Sequence, residues 1–416
     1  MKQSKPDVTT ARRQPAPWQV VGILFLVALL GISALSVQRA LSSHPPLDEG
    51  PPGSVILIIA DGLGVSMQEA LRLVDGPLWI DQMPYGALMR THSARHVVTD
   101  SAAAASAMAN GVKANNRAMG HDPDGHTVAG IAALARQANR KVALVTTSYL
   151  LDATPGAFVA SVDHRSQVET ISLQLLEAKP DLLYGGGESQ FLPPDVSGRF
   201  GPGTRRDNRN MITAFRDAGY HIVDEPTVGP LPQLGLFAGM ELFSYDPPHF
   251  APAVSLPAMA RAALATLTAT GEGFLLVLEE EGTDMLAHRN AVEETLKAAR
   301  HWNQTVGIAL AYQRRHPGTV VIVTADHETG GLQLGAKREC SGPIEPPPGY
   351  GTPEEVAQTY RTLLKARNGD EFCARFTTSG HTAEPVGLYS IGLPPPRPIM
   401  QNTDVFDMLR QGLRIR

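Results

Sequence analysis

The sequence predicts an α/β protein built on one large, doubly wound and mostly parallel sheet flanked by helices. Apolar runs typical of buried parallel strands alternate with helix-like segments along most of the chain. Three of these runs end in an acidic residue: residues 55–60 before Asp61, residues 274–278 before Glu279, and residues 320–325 before Asp326. Because open parallel sheets bind ligands at the carboxyl ends of their strands, these three side chains are predicted to converge on one site.

The predicted elements follow in order from the first apolar run. Strands are predicted at residues 55–60, 141–146, 181–184, 274–278 and 320–324, and helices at residues 101–109, 127–137, 258–268 and 292–312. The helix at 101–109 is rich in Ala and ends at Asn110-Gly111, a favourable C-terminal signal. The stretches at 193–203 and 224–232 are predicted to be loops because they contain several Pro and Gly residues.

The alternation predicts a single catalytic domain over residues 54–416. Residues 337–376 interrupt the pattern with three consecutive prolines and both cysteines, so they are predicted to be an insertion at the rim of the domain. In an oxidising compartment Cys340 and Cys373 can pair and join the ends of this insertion. Two free thiols in surface loops are the alternative.

The composition narrows the class of function. A hydrophobic fraction of 43% with 19% charged residues is ordinary for a globular protein with a good core. The formal net charge of −5 gives no basic footprint, so no specific binding of nucleic acid is expected. An acidic protein that handles an anionic substrate needs local positive charge, and bound metal ions are the simplest source.

The N-terminal segments predict export of the body of the protein. Residues 1–17 form a basic tail, predicted to be cytoplasmic, and residues 18–37 are an uncharged apolar run. This run is about long enough to span a bilayer, which takes roughly 20 residues. An uncleaved anchor in the inner membrane and a cleaved signal peptide, with Ala34 and Ser36 near the cut, are both open. A Pro-rich linker at 38–53 would then lead to a periplasmic or otherwise extracytoplasmic domain.

Several candidate metal ligands are weak signals when each is considered alone. Asp284 and His288 have the i, i+4 spacing that presents two ligands on one face of a helix, but a surface ion pair has the same spacing. Asp326-His327 follows a predicted strand and precedes two glycines, which leaves room for a ligand. His381 lies in a polar loop and by itself resembles an ordinary surface histidine.

Asp61 and Ser101 are stronger candidates. Asp61 ends a strand and is followed by Gly62, which permits close approach of the backbone, although a structural turn Asp is the alternative. Ser101 opens the Ala-rich helix, whose amide donors and partial positive charge suit a serine that becomes an alkoxide and carries a phosphoryl group. The alternative is that Ser101 is only the N-cap of this helix. Arg165 has no distinguishing signal of its own.

Together these segments resemble the alkaline phosphatase family over most of the chain, from residue 55 to about residue 409. The most specific match is residues 98–113, which contain Thr-Asp-Ser-Ala-Ala-Ala and end in Asn-Gly-Val-Lys. It is followed by Asp-Ala-Thr-Pro at 152–155, by Arg165, and by Val-Thr-Ala-Asp-His-Glu-Thr-Gly-Gly at 323–331. The order and spacing of these motifs are those of the family.

The resemblance implies a phosphomonoesterase with two Zn²⁺ ions and one Mg²⁺ ion. Ser101 matches the serine that is phosphorylated, Arg165 the guanidinium that grips the phosphate, and Asp100 the carboxylate that orients it. The implied metal ligands fall into three sets: Asp61, Asp326 and His327 for the first zinc; Asp284, His288 and His381 for the second; and Asp61, Thr154 and Glu279 for magnesium. Asp152 matches a position near the magnesium. Members of the family are often homodimers, although this sequence has no distinctive interface stripe.

Two positions depart from the family pattern. Glu279 is followed by Glu280 and Glu281 where small residues are usual, so a slip of one residue would select Glu280 as the magnesium ligand. The added carboxylates would either raise metal affinity or repel substrate. Met285 stands where members often have a polar or aromatic residue near the phosphate, which leaves more of the binding to Arg165.

The expected substrates are small phosphate monoesters. A phosphodiesterase or sulfatase of the same superfamily would share much of the metal site, but Arg165 favours a terminal phosphate, and the modified Cys or Ser motif of sulfatases is absent. An inactive, membrane-tethered binding protein is a third possibility. It would be expected to have lost ligands, whereas every matched position holds a competent residue.

Overall fold

The computed structural model describes residues 53–341 and 361–415. Its strands, in chain order, are β1 (Ser54–Ala60), β2 (Tyr85–Arg90), β3 (Lys141–Tyr149), β4 (Leu182–Gly186), β5 (Ser197–Gly198), β6 (Gly201–Pro202), β7 (His221–Val223), β8 (Gln233–Leu236), β9 (Ser244–Tyr245), β10 (Pro248–His249), β11 (Phe274–Glu280), β12 (Thr319–Thr324), β13 (Glu328–Thr329), β14 (Gln333–Ala336), β15 (Arg361–Lys365), β16 (Glu371–Arg375), β17 (His381–Thr382), β18 (Val386–Ile391) and β19 (Ile399–Gln401).

The helices in the same residues, again in chain order, are α1 (Val65–Asp75), α2 (Ser101–Asn110), α3 (Ile131–Gln137), α4 (Ala153–Ala157), α5 (Val168–Ala178), α6 (Glu188–Phe191), α7 (Met211–Asp217), α8 (Leu256–Ala269), α9 (Gly282–His288), α10 (Val292–Arg315) and α11 (Asp404–Gly412). Two 3₁₀ helices cover Trp79–Gln82 and Lys337–Cys340.

Ten of these strands form one mixed sheet in the order β19-β2-β18-β12-β1-β11-β3-β4-β8-β7. Only β18 runs antiparallel to its neighbours, β12 and β2. The other adjacent pairs are parallel. The predicted α/β class with a mostly parallel, doubly wound sheet is therefore confirmed.

The apolar runs that predicted the central strands form the core of the sheet. Every residue of β11 and β12 is buried, and so is β1 after Ser54. Strands buried on both faces must be covered by helices, and α10 packs against β1, β11 and β12. Burial of these runs fixes the middle of the sheet, where the acidic strand ends lie.

The antiparallel and edge strands have no such run, and the sequence did not predict them. β2 exposes most of its residues, so its apolar and polar side chains do not form a continuous pattern. One helix also begins later than predicted, at Ile131 instead of residue 127. The reason is local: the Asn110 side chain donates a hydrogen bond of 2.8 Å to the Val128 carbonyl and holds that segment outside the helix.

The predicted loop at 193–203 contains a two-strand hairpin, β5 and β6, so that prediction was partly wrong. Residues 224–232 contain no helix or strand, as predicted. Residues 342–360 of the predicted rim insertion lie outside the described residues. Within the rest of it, β15 and β16 form a small antiparallel sheet with β14, which precedes the insertion, and β16 is the middle strand. Cys340 and Cys373 form a disulfide with an S–S distance of 2.10 Å, which confirms the predicted pairing.

The N-terminal predictions lie outside the described residues. These are the basic tail at 1–17, the apolar segment at 18–37 and all but the last residue of the linker at 38–53. Among residues 53–341 and 361–415, no helix has the length and apolar character needed to cross a membrane.

Candidate functional site

Three neighbouring strands end at the candidate site. β1 lies between β11 and β12, and the register pairs Ile59 with both Glu279 and Thr324. The backbone N–H of Asp61 then donates to the Glu280 carbonyl at 3.0 Å, which extends the ladder beyond β1. Asp61, Glu279 and Asp326 are each at most 1% exposed. The predicted convergence of carboxylates at this edge of the sheet is therefore present.

Gly62 makes the tight turn after β1 possible. Its φ is +70°, and a Cβ at this position would lie 2.7 Å from Asp284 Oδ1 and 2.8 Å from Thr329 Oγ1. Its N–H donates to Asp326 Oδ1 at 3.1 Å. The glycine thus allows the backbone to approach the carboxylates without displacing them.

Asp284, His288 and His381 form the first group of potential metal ligands. The short helix α9 carries Asp284 and His288, whose Oδ2 and Nε2 lie 3.2 Å apart. His381 arrives from β17, which pairs with β13 so that Thr329 lies opposite His381. Its Nε2 lies 3.7 Å from Asp284 Oδ1 and 3.1 Å from His288 Nε2.

His288 and His381 each donate a hydrogen bond from Nδ1 to a backbone carbonyl. His288 donates from Nδ1 to the Ser379 carbonyl at 2.6 Å, and His381 donates from Nδ1 to the Thr99 carbonyl at 2.9 Å. Each Nε2 is thereby left as the potential ligand atom. Although burial opposes the charge, the Asp284 carboxylate raises the pKa of His288 to about 9. Burial likewise opposes ionisation of Asp284, but His288 and His381 hold its pKa well below the usual value.

The second group of potential metal ligands is centred on His327. Its Nε2 lies 3.1 Å from Asp326 Oδ2 and 3.5 Å from Asp61 Oδ1, and its ring stacks on His381 at 3.6 Å. Asp284 also approaches closely enough to share a metal ion with Asp61 and His327. Burial, followed by the neighbouring His381, lowers the pKa of His327 well below its usual value, so its ring is neutral. A neutral imidazole with a free Nε2 is the form that binds metal.

Two carboxylate oxygens of this group are buried without a hydrogen-bond partner in the described part of the chain: Asp61 Oδ1 and Asp326 Oδ2. Burial and the neighbouring Asp284 raise the pKa of Asp326 to about 7. Burial, Asp326 and three other carboxylates raise the pKa of Asp61 well above its usual value. Buried carboxylate oxygens that repel one another need a proton or a cation between them.

The third group of potential metal ligands consists of oxygen atoms only. Asp61, Glu279 and Glu281 bring carboxylate oxygens within 4.8 Å of one another. Thr154 lies beside them and donates to Asp61 Oδ2 at 3.5 Å, while Thr146 donates to Glu279 Oε2 at 2.6 Å. Burial raises the pKa of Glu279 to about 8.

Glu280, the alternative to Glu279 in the sequence analysis, lies outside this group. Its Oε1 accepts from Thr147 at 2.7 Å and from the Gly282 N–H at 3.2 Å. β11 ends at Glu280, and Glu281 lies beyond it in a helical conformation (φ −78°, ψ −26°) at the start of α9. There its carboxylate lies with those of Asp61 and Glu279. The structure thus favours Glu279 and adds Glu281, which the sequence analysis did not assign. Three consecutive glutamates carry no sequence signal that distinguishes Glu281 from the other two.

Ser101 is the first residue of α2, and Asp100, not Ser101, is the N-cap. The Asp100 carboxylate accepts from the Ala103 N–H at 3.1 Å, so the reading of Ser101 as a capping residue is wrong. The Ser101 hydroxyl is free of that role and lies 3.4 Å from His327 Nε2. A buried hydroxyl at a helix N-terminus, beside a metal-competent ring, is arranged for attack on an anion.

Arg165 bridges Asp152 and Asp100. Its Nη2 lies 2.6 Å from Asp152 Oδ1, and its Nη1 lies 3.9 Å from Asp100 Oδ2. Ser148 and the Ala153 N–H also donate to Asp152, which fixes the carboxylate. Burial acts against it, but Arg165 lowers the pKa of Asp152. The guanidinium is held beside Asp100, the residue before Ser101, and 28% of the Arg165 side chain is exposed, so an oxyanion can reach it.

The donor sets fit the metals that the resemblance implies. Mixed imidazole and carboxylate groups suit zinc, whereas carboxylates with a threonine hydroxyl suit magnesium. All of the predicted site residues meet in one region, although they come from segments more than 300 positions apart in the sequence.

Comparison with known proteins agrees with this geometry. Residues 53–345 match the family model described as alkaline phosphatase. The chain is 28% identical to alkaline phosphatase 4 of Bacillus subtilis over 89% of its own length and 78% of that protein. It is 32% identical to an alkaline phosphatase of Schizosaccharomyces pombe over 78% of this chain and 64% of that one. The crystal structure of Thermus thermophilus alkaline phosphatase shares the fold, with a TM-score of 0.73 and 24% identity over 88% of this chain and 92% of that one.

Proposed function

The chain belongs to the alkaline phosphatase family and is a phosphomonoester hydrolase, and we propose that it works through a phosphoserine at Ser101 in a site with two zinc ions and one magnesium ion. The observation that carries this proposal is the position of the Ser101 hydroxyl. It lies at the N-terminus of α2 and 3.4 Å from His327 Nε2, where the first two ligand groups meet. No other described arrangement supports in-line attack on phosphorus as directly.

The reaction has two displacements. The Ser101 oxygen attacks phosphorus and loses its proton, while the bond from phosphorus to the alcohol oxygen breaks and that alcohol leaves protonated. Water then attacks the phosphoserine phosphorus, the bond to Ser101 breaks, and inorganic phosphate leaves. Each step exchanges one P–O bond for another, so the same residues serve both steps.

Arg165 binds the phosphoryl group in both steps. Its fork of N–H donors matches two oxygens of a terminal phosphate, and the charge that develops there is stabilised. Asp152 and Asp100 hold the guanidinium on either side, which reduces the entropy lost on binding. A diester offers fewer free oxygens to this fork, so the geometry favours monoesters.

The implied metals would be held by residues already close together. Asp61, Asp326 and His327 would hold the zinc next to Ser101; Asp284, His288 and His381 would hold the other zinc; and Asp61, Thr154 and Glu279 would hold magnesium. When bound, the metals supply Lewis-acid stabilisation of the attacking and leaving oxygens and lower the pKa of water. The chain's own part is to fix the tautomers of His288 and His381 through the Ser379 and Thr99 carbonyls.

Export is a separate proposal. The uncharged apolar run at 18–37 after a basic tail supports a periplasmic body, held at the inner membrane if the run is not cleaved. Cell fractionation with N-terminal sequencing tests it, and a cytoplasmic enzyme with an intact N-terminus in the soluble fraction would contradict it. A homodimer, common in the family, is tested by the mass of the purified enzyme in solution.

The nucleophile is tested with an aryl phosphate and the zinc- and magnesium-loaded full chain. Ser101→Ala is expected to abolish measurable turnover and the acid-trapped phosphopeptide. Ser106→Ala is the matched control, because Ser106 is a buried serine of the same helix that accepts from the Gly120 N–H. Wild-type turnover in Ser101→Ala, or a phosphopeptide at another residue, would refute the assignment.

A further inference from the structure

We propose that Glu281 is an additional carboxylate ligand of the magnesium ion, beside Asp61 and Glu279. This inference rests on the proposed function, since it concerns the magnesium site of the same centre. It deepens that proposal because the family resemblance assigns no role to residue 281. The ligand class is a hard divalent cation that prefers oxygen donors.

The first support is that three carboxylates converge on one place. Asp61, Glu279 and Glu281 each present a carboxylate oxygen within 4.8 Å of the other two. Glu281 is only 5% exposed, so its carboxyl group is largely removed from water. Buried carboxylates are found together where they share a cation or a proton.

The second support is that the three consecutive glutamates differ in the hydrogen bonds that their carboxylates accept. The Glu279 carboxylate accepts from Thr146, and the Glu280 carboxylate accepts from Thr147 and the Gly282 N–H. In the described part of the chain, the Glu281 carboxylate accepts no hydrogen bond, although its backbone N–H donates to Thr147 Oγ1 at 2.9 Å. A buried carboxylate without a donor is unexpected in a structural role.

The third support is the position of the neighbouring cationic side chain. The nearby cation, Arg165, is bonded to Asp152 at 2.6 Å and directs its other nitrogen to Asp100, so it is not bonded to Glu281. Arg165 thus leaves the three carboxyl groups to share a proton or to bind a cation, and a bound divalent cation stabilises their ionised forms.

A further carboxylate ligand should raise the affinity of the site for magnesium. Each added carboxylate raises the affinity of an oxygen site for a divalent cation. With Asp61, Glu279, Thr154 and Glu281 as donors, this chain would retain magnesium at lower free concentrations than it would with the first three alone. The alternative, that Glu281 only repels the substrate, predicts no change in metal affinity.

The test measures bound magnesium directly, without reference to activity. The zinc-loaded full chain is dialysed against graded Mg²⁺, and bound magnesium and zinc are determined by elemental analysis. Glu281→Gln keeps the shape and removes the charge, and we expect a magnesium Kd about 10-fold or more above that of the wild type. Glu280→Gln is the matched control: it makes the same change at the neighbouring buried glutamate, whose carboxylate already bonds Thr147 and the Gly282 N–H, and the magnesium Kd should not change.

The outcomes separate the inference from the proposed function. Equal magnesium Kd values for Glu281→Gln and the wild type, or equal weakening by Glu280→Gln, would overturn the role of Glu281 while the magnesium site stands. A wild-type chain that binds no magnesium would overturn both. If Glu281→Gln does not fold, Glu281→Asp and Glu280→Asp serve as the pair, and only the first should raise the Kd. Unchanged zinc content shows that each variant is folded.

Discussion

The Nε2 atoms of His288 and His381 lie 3.1 Å apart, although each ring already commits its Nδ1–H to a backbone carbonyl. Two neutral rings in these tautomers would direct nitrogen lone pairs at each other. A proton or a metal ion must therefore lie between them. In the metal-free chain the proton is favoured, because Asp284 raises the pKa of His288 to about 9 despite burial.

This relationship predicts that zinc affinity depends on pH. Zinc must displace the proton from His288, so its affinity should rise by up to about tenfold for each pH unit below 9 and then level off. Competition with a chromophoric chelator between pH 6 and about 9.5 measures the slope. In His288→Ala the weaker remaining site should lose most of this dependence. A flat profile in the wild type would show that the proton is elsewhere.

The metal-free chain should lose stability as the pH rises. Burial raises the pKa of Glu279 and of Glu280 to about 8 from an ordinary 4.5. Groups with a raised folded pKa favour the folded state fully below the unfolded value, and this contribution is lost as the pH rises through the folded value. His288 changes in the same direction between 6.5 and about 9. Asp284, whose pKa is lowered, contributes a constant amount above about pH 5, and the lowered pKa of His327 opposes the trend only up to the ordinary histidine value of 6.5.

Thermal unfolding of the chelated chain checks this expectation. The Tm should fall between pH 5 and about 9, and zinc with magnesium should remove most of the fall because bound cations stabilise the ionised carboxylates. A Tm of the chelated chain that rises over this range would contradict the assignment of raised pKa values to these groups.

The sequence predicted the central strands well because they are buried on both faces and therefore read as unbroken apolar runs. It could not predict β2, because a half-exposed strand has neither a continuous run nor a clean alternation. The carboxylates at the strand ends followed from the same runs. The position of His381 could not be predicted in this way, because nothing in the sequence of its loop indicates a metal ligand. Only the pairing of β17 with β13 brings His381 to Asp284.

Two details of the site needed side-chain geometry. Thr-Asp-Ser at 99–101 offers three capping residues in succession, and only the hydrogen bond from the Ala103 N–H identifies Asp100 as the cap. Likewise, three consecutive glutamates are chemically alike in sequence. Their threonine partners on β3 distinguish them, since Thr146 takes Glu279 and Thr147 takes Glu280.

Gly62→Ala should destabilise the protein and weaken metal binding. Gly62 and Gly125 both have positive φ values, +70° and +86°, so alanine carries a conformational cost at either position. At Gly125 nothing lies within 4 Å of the added Cβ, whereas at Gly62 the Cβ would lie 2.7 Å from Asp284 Oδ1. The cost at Gly125 should be about 1 kcal/mol, and the cost at Gly62 about 1–3 kcal/mol more.

Denaturant unfolding of the zinc-loaded chain, with the two alanine variants side by side, measures this difference. The Gly62 variant should also contain less zinc, because Asp284 must move away from the added methyl group. Equal losses of stability in the two variants would show that the close approach at Gly62 has no consequence.

Arg165→Ala should weaken product inhibition by inorganic phosphate. Charge-assisted hydrogen bonds to an oxyanion contribute about 1.5–3 kcal/mol, so the inhibition constant should rise by about 10- to 150-fold. Arg165→Lys should restore little of the lost phosphate affinity, because an ammonium group has no planar fork with which to bond Asp152 and two phosphate oxygens together. Arg117→Ala is the matched control: Arg117 is an exposed arginine whose backbone N–H, not its guanidinium, bonds Asp100. Steady-state inhibition with an aryl phosphate gives the constants, and an unchanged value in Arg165→Ala would mean that the phosphate is held by the metal ions alone.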